Sequence, residues 1–236
     1  MSESSGLGDQ VWNRTGHAHD LSWTSFYALF FCSTIVGLAT SAFMVRLLFN
    51  MHINVWVALL VGLVGGFAGI FISLGSKNAV ISFLGLELLA TSFGVMLTSS
   101  MQAYAIKAEM GGYDFVDLVQ EAMMLTGAAT VVMGVLGYQF SEWFKGLGGI
   151  LFGALSALLV LMFGEIILSM FGFTFNSIWI SWVAVIIFCG YIGYDIGRVT
   201  DMERNADNAV DSAVALYLDI VNLFLHIIRI LAAAKK

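Results

Sequence analysis

Seven stretches of about twenty apolar residues, nearly free of charge, follow one another along this chain. A helix that crosses the hydrocarbon core of a bilayer needs about 20 such residues, so the chain divides on that criterion. Leu21–Val45 carries no charge and ends at Arg46, a natural anchor that can reach outward to the headgroups. Ile53–Ser76 is also uncharged, and Gly62, Gly65, Gly66 and Gly69 set small residues along one face, which lets membrane helices approach closely. The third span, Ala79 to about Tyr104, is interrupted only by Glu87 and runs out toward Lys107 and Glu109. An acidic, glycine-containing connection, Glu109 to Asp117, is expected outside the bilayer. The fourth span lies between Glu121 and Glu142, and the fifth runs from about Gly146 to Phe171 with Glu165 inside it. After a turn at residues 172–177, the sixth covers Ile178 to Val199 and the seventh about Ser212 to Ala232.

Composition supports that division. Of 236 residues, 59% are hydrophobic and 11% charged, against roughly 45–50% and about 25% in a soluble domain. The expected fold is an all-α integral membrane protein, a seven-transmembrane-helix bundle forming one domain over residues 21–236 behind a polar segment, residues 1–20. That segment has no basic patch ahead of a short apolar run, so it is not expected to be a cleaved signal peptide. The net charge of −6 is dilute and the ten Lys and Arg are scattered, which argues against a nucleic-acid partner. Arg14, Lys77, Lys145, Arg198 and Arg204 fall on the N-terminal side, against Arg46, Lys107, Arg229, Lys235 and Lys236 opposite, so the positive-inside rule returns a tie. Cys32 and Cys189 lie in apolar segments, where cysteine acts as a small hydrophobe. The chain has no proline, so any kink must come from glycine or a local helix irregularity.

The stretch from Tyr191 to Arg229 concentrates the polar chemistry. Asp195 lies near the end of one apolar segment and Asp219 inside the next, with a polar connection, Arg198 to Asn208, between them. If the two segments form a hairpin turning near Asp207, each aspartate lies about 18 Å along its helix from the turn, at roughly 1.5 Å per residue. The two would then share one depth. Carboxylates there are costly in hydrocarbon, face the bundle interior or a wet cavity, and often mark an ion path. Asp219, Asn222, His226 and Arg229 recur at steps of three and four, so a helix gathers them on one stripe. A plain interhelical hydrogen-bond seam explains that stripe as well, and Arg198, one turn after Asp195, allows a structural ion pair.

Two carboxyl groups that approach one another cannot both ionise easily, so they share a proton and titrate as a unit. Such a pair is a proton-sensitive latch. Ionised carboxylates are also hard ligands suited to Ca²⁺, although a full site needs about six to eight oxygens. Asp195 and Asp219 alone make at most a weak, transient metal site, which is what conduction requires.

Tyr194-Asp195, followed by Ala215-Leu216-Tyr217-Leu218-Asp219-Ile220-Val221-Asn222-Leu223-Phe224-Leu225 and Arg229, closely resembles the signature of the Bax inhibitor family, the transmembrane Bax inhibitor motif proteins. The Glu121-Ala122 pair entering the fourth span is similar to that pattern too. The resemblance implies a seven-helix protein associated with pH-sensitive calcium leak across membranes, with Asp195 and Asp219 as the pH-sensing pair. Bacterial relatives carry charges in the second helix, including an arginine proposed to latch the acid pair, whereas Ile53–Ser76 here has none. Lys77 is the nearest substitute, and Arg198 and Arg229 are the other candidate cations. The short polar N-terminus and compact loops suggest a bacterial inner membrane, with an organelle membrane as the alternative.

The function expected is therefore a pH-sensitive calcium leak channel, not an enzyme, with no cofactor and with calcium as the permeant ion. Glu87, Glu121, Glu165, Asn222 and His226 are candidates for lining the path, although a lone histidine on a helix stripe is more often a hydrogen-bonded structural group. The partners implied are the lipid bilayer, calcium, protons and a membrane-protein partner. A proton-coupled transporter built on Glu87, Glu165, Asp195 and Asp219 is an alternative, though no internal repeat supports it. So is a non-conducting regulator of a membrane protease or of cell-death and stress proteins. An intramembrane aspartyl protease fits poorly, because Asp219 follows Leu216-Tyr217-Leu218 rather than a Gly-x-Gly pattern and a proline motif is impossible here.

Overall fold

The computed structural model describes residues 21–172 and 178–235. Over these residues the chain is all-α: α1 (Trp23–Leu48), α2 (Val55–Gly75), α3 (Ala79–Gly111), α4 (Phe115–Gln139), α5 (Ser141–Gly146), α6 (Gly148–Met170), α7 (Ile178–Val199) and α8 (Ala206–Ala234). All but the short α5 are long and apolar enough to cross a membrane, giving seven candidate spans among the described residues. The protein is an all-α, seven-span membrane protein. The polar segment at residues 1–20 and the turn residues 173–177 lie outside the described residues.

The helices begin where a polar side chain can cap them. The first turn of a helix leaves backbone N–H groups without partners, and a side-chain oxygen just before it can accept from them. Ser22 accepts from the Ser25 N–H at 3.1 Å, Asn54 from Trp56 at 2.9 Å, Asn78 from Val80 at 2.9 Å, Asp114 from Val116 at 2.6 Å and Asn205 from Asn208 at 2.7 Å.

Three boundaries differ from the sequence expectation, each for a physical reason. The connection expected over Glu109 to Asp117 shrinks to residues 112–114, because α3 continues to Gly111 and the Asp114 cap restarts the helix at once. The fourth span does not run to Glu142. The helix breaks at Phe140, whose φ of −117° and ψ of 40° are not helical, and Glu142 falls in α5. The seventh span, α8, starts at Ala206, not Ser212, so Asp207, Asn208 and Asp211 are helical and buried rather than outside the span.

The chain forms two compact units. The first comprises residues 21–106 and 201–217, the second residues 107–200 and 218–235. In the first, the glycine face of α2 is filled by α3: Gly62 meets Met96, Gly65 meets Ser92 and Gly66 meets Phe93. At the closest point a methyl group on Gly69 would lie 2.6 Å from the Gly85 carbonyl oxygen, so only glycine permits that approach. The connection before α8 is tied to the start of α1. The Leu21 N–H donates to the Arg204 carbonyl at 2.6 Å, and the Arg204 guanidinium lies 5.0 Å from the centre of the Trp23 ring.

In the second unit α7 offers a glycine face of its own. Gly190 packs on Leu151, Gly193 on Phe144 and the Gly137 backbone, and Gly197 on Ser141 and Gly137. Close approach on that face brings α4, α5 and α6 against α7.

Candidate functional site

Asp195 and Asp219 are both buried, with 4% and 7% of their surface exposed. In α7, positions 191, 195 and 198 fall on one stripe, away from the glycine face at 190, 193 and 197. The glycine face draws in the neighbouring helices and leaves Tyr191, Asp195 and Arg198 toward the C-terminal half of α8. There the buried carboxyl groups of Asp195 and Asp219 lie close enough to act on each other directly. An ionised carboxylate only accepts, so a hydrogen bond between them needs a proton on one of the two. One oxygen of Asp219, Oδ2, is buried and has no hydrogen-bond partner among the described residues. Tyr191 lies within electrostatic reach of both acids.

The cation beside the pair is Arg198. Its Nη2 lies 3.5 Å from Asp195 Oδ1, its charge also reaches Asp219, and its guanidinium sits 5.6 Å from the centre of the Tyr194 ring. Arg229 is engaged elsewhere, with Nη1 3.5 Å from Glu165 Oε2. Lys77 is an exposed residue in the bend between α2 and α3 and makes no ion pair among the described residues. The second unit thus gathers two buried acids, one guanidinium and the two phenols Tyr191 and Tyr194.

The expected symmetry of the pair about a turn at Asp207 does not hold. Asp195 lies four residues before the end of α7 at Val199, while Asp219 lies thirteen after the start of α8 at Ala206. The turn is the non-helical stretch 200–205, and Asp207 is already in the helix.

The remaining candidates fall into separate places. His226 is buried, its Nδ1 3.3 Å from Ser181 Oγ and its ring stacked on Phe188 at 5.9 Å. Asn222 turns back on its own helix and donates to the Leu218 carbonyl at 2.8 Å. Glu121 accepts from Lys235 at 2.9 Å. Glu87 belongs to the first unit, where the Thr40 hydroxyl donates to its Oε2 at 2.6 Å and its buried Oε1 has no hydrogen-bond partner.

Two polar groups of the first unit went unnoticed in the sequence. Ser41 Oγ lies 2.7 Å from the Tyr217 hydroxyl and 2.8 Å from the Ala90 carbonyl. A serine has one hydrogen to give, and the carbonyl can only accept, so Tyr217 donates to Ser41 and Ser41 to Ala90. The other group is at the start of α8. Asp211 accepts from Ser73 at 2.7 Å and Asp207 from Ser82 at 2.7 Å, all four buried. The only available signal was the four-residue spacing of Asp207 and Asp211, which puts both on one helix face. Among the described residues no three His, Cys, Asp or Glu side chains gather as a metal-ligand set.

A family model described as Inhibitor of apoptosis-promoting Bax1 matches residues 22–236. Protein LIFEGUARD 4 of Arabidopsis thaliana is 35% identical over 158 residues, 64% of this chain and 57% of its own length. Protein lifeguard 4 of Mus musculus is 33% identical over 138 residues, 57% of this chain and 55% of its own. The Golgi anti-apoptotic protein of vaccinia virus (strain Lister) is 32% identical over 133 residues, 52% of this chain and 50% of its own. The chain spans about half the length of the relatives it matches. With the family model covering nearly every described residue, the chain belongs to the Bax inhibitor family.

Proposed function

We propose that this protein is a pH-sensitive calcium leak protein in which the Asp195–Asp219 pair governs permeation, and that it is not an enzyme. The observation that carries the reading is the meeting of two buried carboxyl groups with Arg198 beside them. Two carboxyl groups so placed are held together while they share a proton. Loss of the proton leaves two negative charges side by side in a dry place, and the arrangement must open, recruit a counter-ion or move Arg198. Each response alters how α7 holds the second half of α8. Ionised, the pair also presents oxygen ligands to a passing Ca²⁺.

The test is calcium flux into dye-loaded liposomes at several pH values, comparing the natural protein with Asp195→Asn and Asp219→Asn. The reading requires a flux whose pH dependence disappears in both variants. If all three proteins fold and none exceeds protein-free liposomes at any pH, there is no leak function.

A second reading draws on the relatives' names. The viral relative is called a Golgi anti-apoptotic protein and the family model an inhibitor of apoptosis-promoting Bax1, which favours a non-conducting regulator of cell-death or stress proteins. Absence of flux with retained capture of a membrane-protein partner selects it. The compact loops favour a bacterial inner membrane for this chain, and the Golgi in the viral name favours an organelle membrane instead.

A further inference from the structure

We propose that α5 lies in the headgroup layer of the bilayer as an aromatic anchor and passes the state of that layer to the helix that carries Asp195. The placement follows from length. Helix α4 has 25 residues and rises about 37 Å at roughly 1.5 Å per residue, more than the ~30 Å hydrocarbon core. A crossing helix of that length ends at the boundary, and the next candidate span starts at Gly148. Residues 140–147, with α5 among them, must therefore turn at the level of the headgroups.

The outer side of this turn carries Tyr138, Phe140 and Trp143, exposed to 63%, 54% and 62%. Beside them Glu142 and Lys145 pair with each other. Rings that are apolar in body and polar at one edge, next to internally paired charges, suit the boundary between acyl chains and headgroups. A soluble partner would meet here three bulky rings and no unpaired charge from the Glu142–Lys145 pair. The lipid boundary is the occupant that this chemistry and this height both fit.

The inner side is seated on α7. Phe144 is buried, its ring against Gly193, where any Cβ would overlap it, and Ser141 lies against Gly197. Trp143 joins the two sides, since its ring meets that of Phe144 edge to face at 4.8 Å and 89°. Gly193 and Gly197 flank Asp195. Between them Tyr194 packs on Gly148 and carries the Arg198 guanidinium that reaches Asp195. Interiors packed this closely transmit displacement rather than absorb it. A change in headgroup depth that moves Trp143 therefore moves Phe144, α7 and the carboxyl pair. The inference needs the contact of Asp195 with Asp219 and does not need the calcium flux assigned to it.

The test uses the full chain in bilayers. Tryptophan fluorescence of the natural protein minus that of Trp143→Phe isolates Trp143, and lipids brominated near the headgroup or near the chain end report its depth. Shallow bromine should quench most and aqueous iodide least. Strong iodide quenching with little effect of either lipid, or no quenching by any of the three, overturns the anchor. In a second arm, the infrared carboxyl band lost in Asp195→Asn is followed in bilayers of different acyl-chain length. It should shift with chain length in the natural protein and stop shifting in Trp143→Ala, with circular dichroism showing the variant folded. An equal shift in Trp143→Ala, or none in the natural protein, overturns the coupling. Neither readout depends on flux, so failure of the leak reading alone leaves both intact.

Discussion

Asp195 and Asp219 meet although Asp195 sits one turn from the end of α7 and Asp219 more than three turns inside α8. At ~1.5 Å per residue those offsets are about 6 and 20 Å. The contact therefore joins unequal depths of the two helices and does not follow from a symmetric turn between them.

Arg198 is the cation of this pair. Arg198→Gln removes the charge 3.5 Å from Asp195 and should move the pH midpoint of liposome flux, whereas Lys77→Gln should leave it where it is. A midpoint that follows Lys77 instead would remove Arg198 from the mechanism.

The direction of the hydrogen bonds around Ser41 makes an ordered prediction. Tyr217→Phe removes a donor to Ser41 and leaves the Ser41–Ala90 bond intact, at a cost of about 1 kcal/mol. Ser41→Ala strands the buried Tyr217 hydroxyl and also removes a second bond to the Ala90 carbonyl, and should cost about 2–3 kcal/mol. Unfolding in detergent micelles measures both, and equal losses would reverse the donor assignment.

These two groups mark what could be read in the chain and what could not. The spans were legible because their signal is local: about twenty apolar residues in a row announce a membrane helix wherever they fold. The stripe from Asp219 to Arg229 was legible for the same reason, its period being written within one helix. Asp207 and Asp211 read as linker because burial of an acid depends on its donors, and Ser82 and Ser73 lie 125 and 138 residues away. The break at Phe140 was hidden because no proline or adjoining glycine marks it, and residues between Glu121 and Glu142 are uncharged throughout. The choice of Arg198 over Arg229 was equally invisible, since Arg198 lies one turn from Asp195, Arg229 shares the stripe of Asp219, and only packing sends Arg229 to Glu165.

Close contact at one glycine, Gly69, and open space at another, Gly127, predict opposite signs. Gly69→Ala would put a methyl group 2.6 Å from one backbone atom of α3 and 2.7 Å from another, and neither can step aside as a side chain can. The helices must separate, at a cost of about 1–3 kcal/mol. Gly127→Ala, with no neighbour within 4 Å inside α4, should stabilise by about 0.5–1 kcal/mol through helix propensity. Thermal unfolding of the two variants checks the contrast, and destabilisation by Gly127→Ala would show a partner on that face.

The acids at the start of α8 and the ion pair near its end differ in environment, and that difference sets their worth. Ser73 and Asp211 are fully buried, so Ser73→Ala removes a hydrogen bond to a carboxylate that water cannot replace, at a cost of about 1.5–3 kcal/mol. Lys235 and Glu121 keep 28% and 42% of their side-chain surface exposed, so solvent screens their attraction and Lys235→Met should cost no more than about 1 kcal/mol. High salt should erase the second effect and leave the first, because screening acts on exposed charges and reaches buried ones weakly. Unfolding of both variants at low and high ionic strength measures this. A salt-sensitive loss in Ser73→Ala would mean that the start of α8 is open to water.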